Sequence, residues 1–162
     1  MKPTIYIETT IPSYYYNTRT DAELRVLSKW TRDWWDHWRK GYQLVSSVAV
    51  IEELQRGKHP LQKEKLAMIT SLPLLEITPR VLDVVDAYIA NRVMPADPRG
   101  DALNLALASV AKCDMLLSWN CRHIVNPRKE EHIGALNTKM RLHIPRLFTP
   151  FELLKMESKN EN

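Results

Sequence analysis

The amino-acid sequence predicts an α/β protein, a three-layer α/β/α sandwich around a central, mostly parallel sheet. Three observations carry the prediction. Strand-like and helix-like segments alternate along the chain, the strand-like runs are apolar on both faces, and 162 residues with 44 % hydrophobic content suffice for one core. Alternation matters because parallel neighbours need a crossover, which a helix supplies. Runs that are apolar on both faces belong to a sheet covered on both sides.

The elements follow in order. A strand is read at 4–8, "TIYIE", which closes on the carboxylate of Glu8, and a long amphipathic helix at 21–40. A second strand, "YQLVSS" at 42–47, runs into a helix at 48–57 that carries Glu52 and Glu53, and a further helix is read at 61–72. The third strand, "LLEIT" at 74–78, precedes a helix at 80–93, and Gly100 precedes another at 101–112 that begins with Asp101. "DMLLSW" at 114–119 is a fourth strand, a mixed-charge helical stretch follows Asn120, and "PRLFT" at 145–149 leads into a closing helix at 150–156.

Only four glycines and no flexible linker interrupt the chain, so residues 1–157 are expected to form a single domain with a polar tail at 158–162. The net charge of +4 is compatible with a polyanionic partner without specifying one. Two cysteines, Cys113 and Cys121, have neither metal-site nor disulfide-framework spacing, and are expected to be reduced, mostly buried thiols. The first ten residues lack a signal-peptide core, and no apolar run reaches the roughly 18 residues a bilayer span needs. A soluble, cytoplasmic protein without membrane association is the expectation.

In open parallel sheets, ligands bind beyond the carboxyl ends of the strands. Glu8 ends the first strand, Glu52 and Glu53 ride the helix after the second, Asp101 opens a helix, and Ser118, Trp119 and Asn120 end the fourth strand. Folding would therefore gather distant acids on one rim. Hard cations such as Mg²⁺ and Mn²⁺ take oxygen ligands, commonly a few carboxylates with water and substrate phosphate. Each acid also has a purely structural explanation: Glu8 as a turn cap or arginine partner, Asp101 as a helix N-cap. Glu52 and Glu53 diverge by about 100° on a helix, so at most one faces the rim. Clustered carboxylates repel, and without a cation at least one is expected to keep its proton.

The stretches "YIETTIPSYY", "SSVAVIEELQRG", "GDALNLALA", "DMLLSWNCRHI" and "PRLFTPFELL" together resemble a PIN domain, in particular the VapC-like toxin branch. The resemblance covers almost the whole chain. It implies a metal-dependent endoribonuclease that hydrolyses RNA phosphodiesters with Mg²⁺ or Mn²⁺ and is silenced by a protein antitoxin. By motif, Glu8, Glu53 and Asp101 match three metal-binding acids, Asn120 stands where many members carry a fourth, and Ser118 matches a small hydroxyl residue. Glu52, Ser118 and His123 are secondary candidates. Glu8 replaces the usual aspartate with a longer side chain, and Asn120 lacks charge, so one firm metal site is expected rather than two. Asn104 stands where relatives often carry histidine.

The tryptophans at 30, 34 and 38 form one helical stripe, read as core packing or a homodimer surface, and a homodimer is expected. The rival function is a catalytically weakened PIN-like module that binds RNA or an antitoxin without cutting. A phosphoaspartyl enzyme is disfavoured, since the first strand offers glutamate and no aspartate nucleophile.

Overall fold

A computed structural model describes residues 1–94, 100–121 and 124–162. Five strands, β1 (Thr4–Ile7), β2 (Gln43–Ser47), β3 (Leu74–Leu75), β4 (Met115–Leu117) and β5 (Arg146–Phe148), form one sheet in the order β3-β2-β1-β4-β5. Every pairing is parallel. The helices are α1 (Thr10–Tyr15), α2 (Ala22–Trp38), α3 (Val48–Gln55), α4 (Gln62–Thr70), α5 (Pro79–Ala90), α6 (Asp101–Val110), α7 (Pro127–Lys139) and α8 (Pro150–Asn160). The α/β sandwich expected from the alternating pattern is the fold observed.

The central strands are buried on both faces, with Ile5, Tyr6 and Ile7 on β1 and Leu116 and Leu117 on β4 all inaccessible to solvent. Helix α6 is buried from Ala102 to Ser109. Its alanines at 102, 106 and 108 keep it slim enough to lie deep among its neighbours. Its polar side chains are paired: Tyr6 Oη donates to Asn104 Oδ1 at 2.5 Å, and Ser109 Oγ accepts from both Tyr88 Oη and Asn137 Nδ2. Among the described residues, Trp34 Nε1 is the one buried side-chain donor or acceptor without a partner. Leu116→Ala removes a fully buried side chain from β4, between β1 and β5. Urea unfolding should show a loss of about 2–5 kcal/mol.

Several boundaries differ from the sequence reading. Helix α1 was not anticipated, because Pro12 and three tyrosines obscure it; proline is tolerated there since it lies in the first turn. The third strand contracts to Leu74–Leu75 because Thr78 leaves the sheet to cap α5, its Oγ1 accepting from Val81 N. Residues 158–160, read as tail, continue α8, whose start is secured by a capping box between Thr149 and Glu152. Cys113 is buried, as expected, but Cys121 is exposed. The tryptophan stripe packs inward, with Trp34 at 0 % exposure and Trp30 and Trp38 half-buried.

This topology locates the site. From β1 the chain builds outward through β2 to β3, then crosses to β4 and β5 on the other side. The connections therefore diverge between β1 and β4, and in sheets of this kind ligands bind beyond the carboxyl ends of strands at such a point. Glu8 follows β1 there, and Ser118 follows β4.

Candidate functional site

Glu8 is only 4 % exposed. Its amide donates to Leu117 O at 3.3 Å, which continues the β1–β4 ladder by one residue and draws the glutamate against Ser118. Three donors then converge on a single carboxylate oxygen. Thr10 N, Thr10 Oγ1 and Ser118 Oγ reach Glu8 Oε2 at 2.9, 2.5 and 2.9 Å. Oε1 accepts no hydrogen bond from the described residues, and it is not sealed from solvent. One oxygen is anchored, and the other is available.

Burial pushes the Glu8 carboxyl up to about 7, against the pull of the Thr10 and Ser118 hydrogen bonds, and the nearby Glu53 charge pushes it further the same way. Glu8 thus holds its proton more tightly than an ordinary carboxylate. The chief cause is burial rather than the repulsion anticipated. Replacing Ser118 with alanine removes a donor that favours the carboxylate form, so Glu8 should hold its proton to higher pH, as an NMR titration would reveal.

The adjacent pair on α3 separates cleanly. Glu52 is exposed, whereas Glu53 is half-buried and its Oε2 accepts from Thr9 Oγ1 at 2.7 Å. Thr9 and Thr10 therefore fasten the two glutamates from consecutive positions. Glu52 does not reach the site.

Asp101 opens α6, half-buried at its first turn. Asn120 Nδ2 approaches both of its oxygens, at 3.0 and 3.1 Å, while Asn120 N donates to Ser118 Oγ at 2.9 Å. A continuous chain of hydrogen bonds thus runs from Asp101 through Asn120 and Ser118 to Glu8. The amide of Asn120 lies where a second acid would repel Asp101. His123 lies outside the described residues.

Around this rim Trp119 is clamped at two points: its amide donates to Thr10 Oγ1 at 2.8 Å, and its indole Nε1 to Thr31 Oγ1 on α2 at 2.7 Å. Its ring faces Tyr14 at 6.1 Å and stacks on Trp30 at 6.2 Å. The sequence reading placed Trp119 at a strand end and assigned it no role. The clamping threonines, 9, 10 and 31, were also missed, because hydroxyl residues carry no distinctive spacing.

Among the described residues, no three His, Cys, Asp or Glu side chains lie close enough to share a divalent ion. The three-carboxylate cluster read from the sequence is therefore not preassembled. Two adjacent glutamates, one with a vacant oxygen, nevertheless fit the way Mg²⁺ is commonly held, by one or two carboxylates with water and phosphate completing its shell. The residues fit an ion shared with substrate better than a closed protein cage.

No protein-family model matches the chain, and no curated protein matches it. Solved structures do. A chain of VapBC2 from Rickettsia felis, crystallised bound to a DNA fragment from its promoter, is 15 % identical with a TM-score of 0.56, over 90 % of this chain and 98 % of that one. A chain of FitAcB from Neisseria gonorrhoeae is 11 % identical with a TM-score of 0.56, over 91 % and 98 %. The fold is shared. At these identities the likeness concerns architecture, and the chemistry of the site rests on its own residues. No helix among the described residues is long and apolar enough to cross a membrane.

Proposed function

We propose that this chain is a PIN-like endoribonuclease dependent on Mg²⁺ or Mn²⁺, acting as the toxin of a toxin–antitoxin pair. The observation that carries the reading is Glu8: a buried acid at the switch point of a parallel sheet, with Oε2 fixed by three donors and Oε1 left open beside Glu53. Isolated carboxylates are expensive to bury as anions, and a divalent cation relieves that cost. Glu8 and Glu53 would hold the ion in this reading, and Asp101, not close enough to share it directly with both, would act through water or the RNA phosphate.

When bound, a divalent ion would lower the pKa of a water and stabilise charge on the phosphate. The protein groups keep the oxygens in place: Thr10 and Ser118 orient Glu8, Thr9 orients Glu53, and Asn120 orients Asp101. Hydrolysis adds water across the P–O bond, and nothing covalent forms on the protein. The fold shared with VapBC2 and the motif resemblance to VapC-like toxins support both the nuclease class and an antitoxin partner. A homodimer remains part of the proposal, although the Trp30–Trp38 stripe is used mainly inside the monomer.

One observation favours the rival, a PIN-like module that binds RNA or antitoxin without cutting: the Asn120 amide already compensates Asp101 without an ion. A labelled single-stranded RNA incubated in Mn²⁺, in Mg²⁺ and in EDTA decides. Internal cleavage in the metals and none in EDTA is expected; RNA that is bound yet intact under all three conditions would establish the rival.

A further inference from the structure

One cleft lies away from the carboxylate rim. It lies between α2 and residues 17–20, has a volume of about 890 Å³, and is lined by Arg19, Arg25, Lys29 and Arg32 with Asp33 as its one acid. Positions 25, 29 and 32 fall on one face of α2, and Ser28 is between them. Arg19 pairs with Asp21, and Lys29 with Asp33, in exposed contacts that polyanions easily displace. Arg25 has no ion pair among the described residues, and Arg32 spends its Nε on Tyr15 O at 2.8 Å, with no carboxylate partner there. Cations grouped around an open cleft, with so little acid among them, make an attractive potential.

The cleft and the carboxylates are joined by α1. At one end Thr10 grips Glu8, and at the other the Tyr15 carbonyl accepts from Arg32. Five residue steps of helix separate these ends by about 7.5 Å. Beside that path lie the rings of Tyr14 and Trp119, both half-buried, and Trp119 is bonded to Thr31, next to Arg32 in sequence. Positive charge followed by half-open aromatics is how proteins hold unpaired strands, with phosphates on the cations and bases on the rings. The cleft walls offer only small or polar groups apart from Val26, so nothing there would enclose a free base.

We infer that this cleft holds the phosphate backbone of single-stranded RNA on its way to the Glu8 rim, with Tyr14 and Trp119 as the stacking surface between them. The inference rests on the ribonuclease reading, whose failure can be told apart from its own. Binding of a short fluorescent RNA, measured in EDTA across a salt series, tests it with the Arg25→Ala/Lys29→Ala double variant. Both positions are exposed on α2, and alanine favours helix, so the fold should persist and a thermal melt should verify it.

Each lost phosphate contact on a single strand lowers the slope of log affinity against log salt by about 0.7, so the double variant should lose roughly 1.4 in slope and at least about tenfold in affinity at low salt. Lys139→Ala, an exposed charge on α7, should leave both unchanged. An unchanged slope and affinity in the double variant would overturn the inference, while metal-dependent cleavage would still uphold the nuclease. Loss of RNA binding with no cleavage in any metal would keep the cleft and remove the nuclease. If the double variant loses an acidic polypeptide such as polyglutamate and retains RNA, the cleft docks a protein instead and the inference fails. Equal binding of a duplex of the same sequence would likewise refute the role of the rings.

Discussion

On the ribonuclease reading, Asp101→Asn should lose about a thousandfold in metal-dependent RNA cleavage while keeping its fold. The magnitude reflects several kcal/mol of ionic stabilisation at about 1.4 kcal/mol per decade of rate. The fold should survive because an asparagine at 101 still presents a carbonyl oxygen to the Asn120 amide, so the link through Ser118 to Glu8 remains. A single-turnover cleavage assay, paired with a melt of each protein, separates lost chemistry from lost structure. Cleavage at the wild-type rate would remove Asp101 from the site and leave Glu8 and Glu53 as the sole candidate ligands.

The second large effect concerns stability. Glu8 titrates near 7 in the metal-free folded chain and near 4.5 when unfolded. Its native pKa is raised, so the folded state binds more protons than the unfolded one between those values. The associated stability is complete below about pH 4.5 and lost as pH climbs through about 7, a loss on the order of 3 kcal/mol. Glu8→Gln should abolish that loss. Its amide oxygen can take the place of Oε2 under Thr10 and Ser118, and its amide nitrogen would then replace the vacant Oε1 and face Glu53. In EDTA at roughly pH 8 the variant should therefore be more stable than the wild type, with the difference vanishing near pH 5.

Divalent ions should invert the comparison. Millimolar Mn²⁺ should raise the wild-type melting temperature at the upper pH, by up to about 2.7 kcal/mol of stabilisation at a hundredfold excess over Kd, and barely affect Glu8→Gln. Parallel pH profiles for the two proteins, with or without metal, would show that Glu8 is neither strained nor a ligand.

Much of this molecule is legible residue by residue. Strands β1 and β4 announce themselves as short runs apolar on both faces, and three helix starts are written as Thr78-Pro79, Asn126-Pro127 and Thr149-Pro150, a capping residue followed by proline. Helix ends are less plainly marked. Arg92, Lys112 and Arg141 adopt left-handed backbone where glycine is usual, so the reading of the helices around them ran past Ala90 and Val110. Helix α1 stayed hidden because six residues are too few to display a period.

The sequence by itself determined the alternating order of strands and helices, and with it a parallel sheet whose acids follow strand ends. That information is local, set by side-chain polarity and backbone preference within a few neighbours. Only the tertiary structure decided that Glu53 rather than Glu52 turns inward, that Asn120 is bonded to Asp101, and that three donors leave one Glu8 oxygen vacant. It also decided that Arg19, Arg25, Lys29 and Arg32 share a cleft. Contacts of this kind join segments far apart in the chain, and they exist only once strand register and helix packing have fixed which way each side chain points.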